Sequence, residues 1–542
     1  MSLRRRSLLG ASAMAPLVGC GRREAHGLVG GWVGAQHQRG HRLRDNVSMA
    51  TTAAPVPRRA DVLIAGAGIA GLAAARVLHQ AGIAEVHLFD LEDEPGGNSR
   101  GHVLGGMACP LGAHYLPVPG DDAVEVLALL EELGLRRRRG SPAIDEERHL
   151  AHSPQERLFV AGVWHEGLLP PIDALPAAER VETLAQYRRF GMTVAALRRE
   201  TSFSIPTSRA HWSPTLQALD SVTFARWLDG QGLHAPALRW YLDYCCRDDY
   251  GAGPARVSAW AGLHYFASRH GFAAPGEGGA ERDGVFTWPE GNAWLSRRMA
   301  TPLGERFHGG CIVHRARVGR HEVEVDLWNT AAGRAERWTA GHVVLALPLF
   351  VAARLLDPAP PALRQAASAL RYAPWLVANL QLREALTDTG GAAPAWDNVV
   401  YGSPALGYVD AMHQSTRPHP GPTVLTHYWA LGGDSQAQGQ AQRDRLLHEP
   451  WSAWADAVLR DLARAHPDLP GKLVQMDLMR HGHAMSIPLP GVRSHAALQA
   501  LTRDQGRVHF AHSDLSGYSI FEEALYHGHR AGRHVAKALR RG

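Results

Sequence analysis

The sequence predicts an α/β fold: a three-layer, parallel-sheet domain assembled from separated stretches of chain, beside a mixed α+β domain. Three observations lead there. Asp61–Ala65 is a short, mostly apolar run that ends on Gly66, Gly68 and Gly71, and a helical pattern continues from about Ile69 to Gln80. Val86–Phe89 is a second such run, closed by Asp90. Far downstream, His342–Pro348 and Arg507–Phe510 read as further buried strands, and a long helix spans about Phe521–Leu539. Continuous apolar runs of this kind suit parallel strands covered by helices on both faces.

The chain has 542 residues, too many for one ordinary core, so two closely packed domains are expected. It carries 57 basic against 52 acidic residues, and a net charge of +5 is small for this length. No basic–aromatic motif accompanies it, so no nucleic-acid partner is expected. No stretch is long and apolar enough to suggest a membrane-spanning helix.

At the N-terminus, Arg4, Arg5 and Arg6 precede the apolar run Leu8–Gly19, which ends at Cys20. A basic start followed by a short apolar segment reads as an export signal. Arg5-Arg6 resembles a twin-arginine signal, and Leu17–Cys20 resembles a bacterial lipoprotein cleavage box. Residues 1–20 are therefore expected to direct export of the folded protein and lipid attachment at Cys20. That would place the protein on the periplasmic side of a bacterial inner or outer membrane, tethered to its surface. A cytoplasmic protein with a chance basic start is the alternative. Residues 21–58 are rich in Gly, His, Arg and Pro and read as a linker.

The glycine turn has a chemical reading. Gly66 permits a tight turn, Gly68 lets backbone approach a pyrophosphate, and Gly71 lets the helix pack on the sheet. The N–H groups of Ile69 and Ala70 open the helix, where phosphate oxygens would meet unpaired donors. Asp90 and Leu91 close the second strand, and the Asp90 carboxylate suits a ribose hydroxyl pair. A bound dinucleotide accounts for all of these features together.

Further along, Asp121–Leu133 reads as a helix, with Asp121 or Asp122 near its cap and Gly134 as its stop. From about Leu150 to Val285 the pattern becomes mostly helical. Trp212, Trp227, Trp240 and Trp260 fall in or beside those helices and read as core. Alternating runs return at Cys311–Val318, Glu322–Trp328, Leu376–Leu382 and Pro422–Trp429. Cys109, Cys245, Cys246 and Cys311 match no zinc spacing and read as free buried thiols, so no metal is expected.

From Asp61 to Lys537 the chain resembles the flavin amine oxidases, a superfamily that also holds protoporphyrinogen oxidases and phytoene-type desaturases. The resemblance rests on Gly66, Gly68, Gly71 and Asp90, and then on Asp93–Asn98 with its glycine pair Gly96-Gly97. Trp288–Asn292, Ala346–Pro348, Phe510–Asp514 and Phe521–Ala524 match more loosely. The resemblance implies FAD as cofactor, held in a Rossmann-like domain of residues 59–149, 286–350 and 476–542. The substrate domain is then 150–285 and 351–475. Gly96, Gly97 and Asn98 would close over the dinucleotide, and the Val318 backbone would meet the adenine. Asp514 would meet the ribityl–phosphate region, and Phe521 and Glu522 would open the helix near the flavin pyrimidine. The chain departs from the family at four places. Asn98 replaces the usual Arg, His512 and Glu523 replace usual glycines, and Asp514 stands one position late.

The resemblance also implies redox chemistry, with hydride transfer from an amine C–N bond to flavin N5. The alternatives are a desaturase or isomerase acting on an isoprenoid-like or porphyrinogen-like substrate, and a noncatalytic flavin-binding scaffold. The other partner is an electron acceptor, oxygen or one not identified by the sequence. Many family members hold a water near N5 with a lysine, but the corresponding segment, Tyr372–Asn379, has none. Candidate catalytic or substrate-positioning groups are His481, His483, His114 and Tyr115, because imidazoles suit proton transfer near neutrality. Tyr372 and Trp375, with Tyr428 and Trp429, are expected to form an aromatic wall beside the flavin ring.

Overall fold

A computed structural model describes residues 27–45, 54–137, 144–152, 154–269, 271–277, 284–503 and 506–540. The export signal and Cys20 lie outside the described residues. The glycine turn folds as the sequence indicates. Strand Val56–Ala65 leads through it into helix Ile69–Gln80, and Val86–Phe89 lies parallel alongside. The order across this sheet is Phe307–His308, Val86–Phe89, Val56–Ala65, Arg334–Leu345, Val323–Asn329 and Cys311–Val318. The last three strands form an antiparallel meander. Val508–Phe510 joins in parallel at Val343–Leu345, so beginning, middle and end of the chain share one sheet.

The long C-terminal helix Phe521–Leu539 packs directly on helix Ile69–Gln80. Glycine makes that approach possible. A Cβ at Gly528 would lie 2.0 Å from the Ala70 carbonyl oxygen, and one at Gly532 2.9 Å from that of Ala74. Gly71 permits a different close approach, of the helix to the turn, since a Cβ there would lie 1.8 Å from the Gly66 carbonyl oxygen. The two helices and the sheet enclose a core that includes Val62, Ile64, Leu72, Leu525 and Val535.

The second domain is built on an eight-stranded sheet. Its order is Gly30–Trp32, Leu473–Ser486, Tyr372–Leu382, Thr423–Ala430, Tyr408–Asp410, Asp397–Val400, Glu156–Val160 and Val163–Glu166. Helices Ala177–Glu200, Pro236–Tyr250 and Ala259–Ala267 share a hydrophobic cluster with that sheet. Trp260 is buried in this cluster, and Trp212, Trp227 and Trp240 pack against it.

The structure corrects two expectations and refines a third. The segment read as a linker contains strand Gly30–Trp32 and helix His37–Arg44, because its sparse apolar residues pair with partners distant in sequence. The insertion after Leu150 is mostly helical, as expected, and its strands Glu156–Val160 and Val163–Glu166 extend the sheet. The helix expected from Asp121 is Val124–Glu132, and Asp122 accepts from the Ser204 hydroxyl at 2.5 Å instead of capping it. Cys109, Cys245, Cys246 and Cys311 are free and buried, as expected.

The interlocked helices generate a prediction. Gly528→Leu should lower the melting temperature by several degrees, because side-chain atoms would meet the Ala70 backbone. Gly230→Ala, at a helical position with nothing within 4 Å, should be neutral or slightly stabilising in the same thermal scan. Equal melting temperatures for the two variants would contradict this packing.

Candidate active site

A cavity of about 420 Å³ runs from the glycine turn to the face of the second sheet. Its first end is made of backbone. Gly66 has φ +102°, and a Cβ there would lie 2.2 Å from the Ala346 carbonyl oxygen. Gly97 faces Gly68 so closely that a Cβ would lie 3.1 Å from the Gly68 Cα, and Gly96 N–H donates to the Ala67 carbonyl at 2.8 Å. Ile69 and Ala70 open the helix at the cavity wall.

Asp90 organises this end. Its Oδ2 accepts from Ala67 N–H at 2.7 Å and its Oδ1 from Glu92 N–H at 2.8 Å. Burial pushes its pKa up, while those backbone bonds and the charge of Arg100 oppose the rise. Each oxygen keeps acceptor capacity for a further donor. Leu91, Gly96, Gly97 and Asn98 line the cavity beside it. Asn98, where the family usually has Arg, donates from Nδ2 to the Ala484 carbonyl at 2.7 Å and so ties this loop to the second domain.

Two expected contacts fall elsewhere. Gly71 does not line the cavity, because its role is packing behind the turn. Val318 lies at the outer end of its strand, 52% exposed. The opposite end of that strand, Cys311 to Val313, lines the cavity, since Cys311 N–H donates to the Asp90 carbonyl at 2.8 Å.

Asp514 does reach the cavity. The short turn Ser513–Ser516 places it there, fully buried, so its late position does not remove it. Its Oδ2 accepts from Leu349 N–H at 2.9 Å and from the Tyr372 hydroxyl at 2.5 Å. Burial pushes its carboxyl up, but His512, Tyr372 and Leu349 outweigh this and hold it below the usual range. Its Oδ1 lies 3.2 Å from His512 Nδ1.

Helix Phe521–Leu539 presents its N-terminus to the cavity through Phe521 and Glu522. The two acids diverge. Glu523 turns away and accepts from Thr207 N–H at 2.5 Å and from the Ser516 hydroxyl. Glu522 lines the cavity, where burial pushes it up to about 7 against the opposing charge of Arg269.

The second domain supplies the other wall. Tyr372, Trp375, Tyr428, His481 and His483 all line the cavity, joined by His114 and Tyr115 from the first domain. Trp429 does not join them. Strand residues alternate between faces, so Trp429 points the other way and meets Trp454 edge-on at 5.8 Å. His114 stacks on Tyr428 with centroids 4.2 Å apart. Burial lowers His114 to about 3 and His481 and His483 to about 4, so all three are neutral at neutral pH. His481 Nε2 lies 2.8 Å from the Leu111 carbonyl oxygen, so the proton sits on Nε2 and Nδ1 keeps its lone pair.

Sequence reasoning missed a charged group at the cavity's end. Asp248, Asp249 and Arg269 line it. Arg269 grips Asp249 with two bonds of 2.9 and 3.1 Å. Asp248 forms no ion pair among the described residues and accepts from the Tyr115 hydroxyl at 3.1 Å. Burial, with Asp249 adding to it, pushes Asp248 up to about 6. Asp248 and Asp249 on the largely buried helix Pro236–Tyr250 were the available signal. No lysine lines the cavity among the described residues, and Lys472 is paired with Asp468 at 2.9 Å.

The comparisons agree with this geometry. Residues 69–536 match the family described as flavin-containing amine oxidoreductase, and the chain belongs to that family. It is 28% identical over 320 residues to a putative flavin-containing monoamine oxidase, AofH, of Mycobacterium tuberculosis, covering 57% of this chain and 62% of that protein. It is 29% identical over 172 residues to a putrescine oxidase of Kocuria rosea, covering 31% and 30% respectively. The chain thus spans less than two thirds of the length of these curated relatives. Among solved structures, cyclohexylamine oxidase of Brevibacterium oxydans shares the fold, with a TM-score of 0.62, 21% identity, and coverage of 89% of this chain and 99% of that one. Putrescine oxidase bound to putrescine is similar, with a TM-score of 0.61, 18% identity, and coverage of 89% and 100%.

FAD is the cofactor of this family, and the cavity fits it. The glycine pairs leave room that a Cβ would fill, and the Asp90 carboxylate has acceptor capacity to spare.

Glu522 yields a pH prediction. A carboxyl raised from the ordinary 4.5 to about 7 by folding stabilises the protein progressively less as pH rises between those values. Above pH 7 the burden is at most about 3 kcal/mol. In the apoprotein, Glu522→Gln should gain melting temperature relative to wild type between about pH 5 and about pH 8. A difference independent of pH would show that Glu522 ionises normally.

Proposed function

We propose that the protein dehydrogenates the C–N bond of a small amine that binds as a cation. FAD, held by the glycine turn and Asp90, would supply the two-electron acceptor for the α-carbon hydrogen once the bound ammonium has lost a proton. The observation that carries this reading is Asp248. It is a half-buried carboxylate without an ion-pair partner among the described residues, standing in an aromatic-walled cavity where the nearby Asp249 is already matched by Arg269. A carboxylate held there without a partner is costly unless a cation meets it.

The remaining groups suit an ammonium. The rings of Tyr428, Tyr115 and Trp375 line the cavity, and aromatic faces carry a negative quadrupole that suits a cation. Trp396 packs behind His114 at 5.6 Å and helps fix its ring. The neutral imidazoles of His114, His481 and His483 add no competing positive charge. At a pKa near 4 the two sheet histidines are weak bases, so their part is to orient the substrate and exclude water. The helix N-terminus at Phe521 faces the site and favours negative charge growing there.

Anaerobic addition of a panel of small primary amines should bleach the oxidised flavin absorbance. Asp248→Asn should weaken kcat/KM for the best amine by about 10- to 100-fold, the worth of a charge-assisted bond. In the wild type, kcat/KM should fall as pH drops through about 6, where Asp248 takes up a proton, and Asp248→Asn should flatten that limb. Bleaching by a polyene or porphyrinogen and by no amine would contradict the proposal.

A further inference from the structure

We infer that residues 27–45 form a clasp over the dinucleotide end of the cavity and slow the escape of the bound cofactor. The inference rests on the FAD site and holds for any substrate. The segment precedes the family match at residues 69–536, so nothing in the family resemblance assigns it a role.

The clasp is anchored on one domain and closes on the other. Strand Gly30–Trp32 adds in parallel to the edge of Leu473–Ser486, with Gly30 opposite Met476 and Trp32 opposite Leu478. Only glycine fits at the first of these positions. Gly30 has φ +151°, and a Cβ there would lie 1.7 Å from the Met476 carbonyl oxygen. The Arg480 guanidinium lies 4.6 Å from the Trp32 ring centroid and secures the anchor from the neighbouring strand.

The chain then crosses to the loop that follows Asp90. Arg100 donates to the Gly34 carbonyl at 2.7 Å. Gln36 N–H lies 3.1 and 3.2 Å from the two Glu92 carboxylate oxygens. In helix His37–Arg44, Arg39 donates to the Leu91 carbonyl at 2.6 Å and pairs with Asp93 at 2.8 Å. Leu43, on the same helix, lines the cavity itself and packs against the cluster containing Phe89 and Val313. The clasp therefore grips residues 91, 92 and 93, directly after the carboxylate placed to hold a ribose.

The Arg39–Asp93 pair contributes little alone, because Asp93 is 61% exposed. The bond to the Leu91 carbonyl and the apolar contact of Leu43 carry more, since both sit against the cavity. A ligand leaving by this end has to displace the helix, and that requires breaking several contacts together. Removing them should act mainly on the rate of release.

The test uses the full-length holoenzyme. Wild type and an Arg39→Ala/Leu43→Ala double variant are diluted into FAD-free buffer, and release is followed by the rise in free-flavin fluorescence. The double variant should release FAD at least tenfold faster while keeping the wild-type far-ultraviolet circular dichroism in saturating FAD. A chain truncated to begin at residue 46 should release it faster still. If truncation prevents folding, the double variant decides. Release at the wild-type rate from a folded double variant would overturn the inference.

Discussion

The junction between the first strand and the first helix is the constraint on which the rest depends. Asp90 accepts from the backbone of Ala67 and Glu92, and so binds the turn after one strand to the loop after the next. Gly66 and Gly71 permit the backbone contacts behind that junction, and Gly96–Gly97 closes over it from the far side. The C-terminal helix packs on the same first helix through Gly528 and Gly532. A change at the turn would move the helix that carries Glu522 into the cavity. Cofactor binding and fold are therefore one structural problem in this protein.

The second domain places side-chain chemistry opposite this backbone cradle. Its sheet turns Tyr372, Trp375, Tyr428, His481 and His483 inward, while helix Pro236–Tyr250 brings Asp248 to the end of the same space. Burial has opposite consequences for the two kinds of titratable group. It keeps the imidazoles neutral and raises the carboxyls of Asp248 and Glu522 towards neutrality. The cavity can change charge near neutral pH through its acids, and its histidines hold one state.

Much of this was legible in the sequence, and the limits have physical causes. Helix Ile69–Gln80, strand Val86–Phe89 and helix Phe521–Leu539 fall where their periodicity places them, because local pattern and burial agree there. Strand alternation put Tyr428 in the cavity, and it also sends Trp429 out, which an aromatic wall of both residues overlooked. Val318 failed for a related reason. A strand's sequence does not say which end meets the ligand. The strand Gly30–Trp32 was invisible because its glycine-rich residues gain their structure from Met476 to Leu478, far away in the chain. Asp248 was missed because its significance lies in a missing ion-pair partner, which only the folded structure defines.

The most direct test of the account is the cofactor content of the purified, folded protein. Absorbance together with mass spectrometry of the released group should find one FAD per chain. Asp90→Ala should lose most of that FAD and melt at a lower temperature, because Ala67 N–H and Glu92 N–H lose their acceptor. A folded wild-type protein that is colourless and takes up no FAD on reconstitution would contradict the account, as would an Asp90→Ala variant that binds FAD as tightly as wild type.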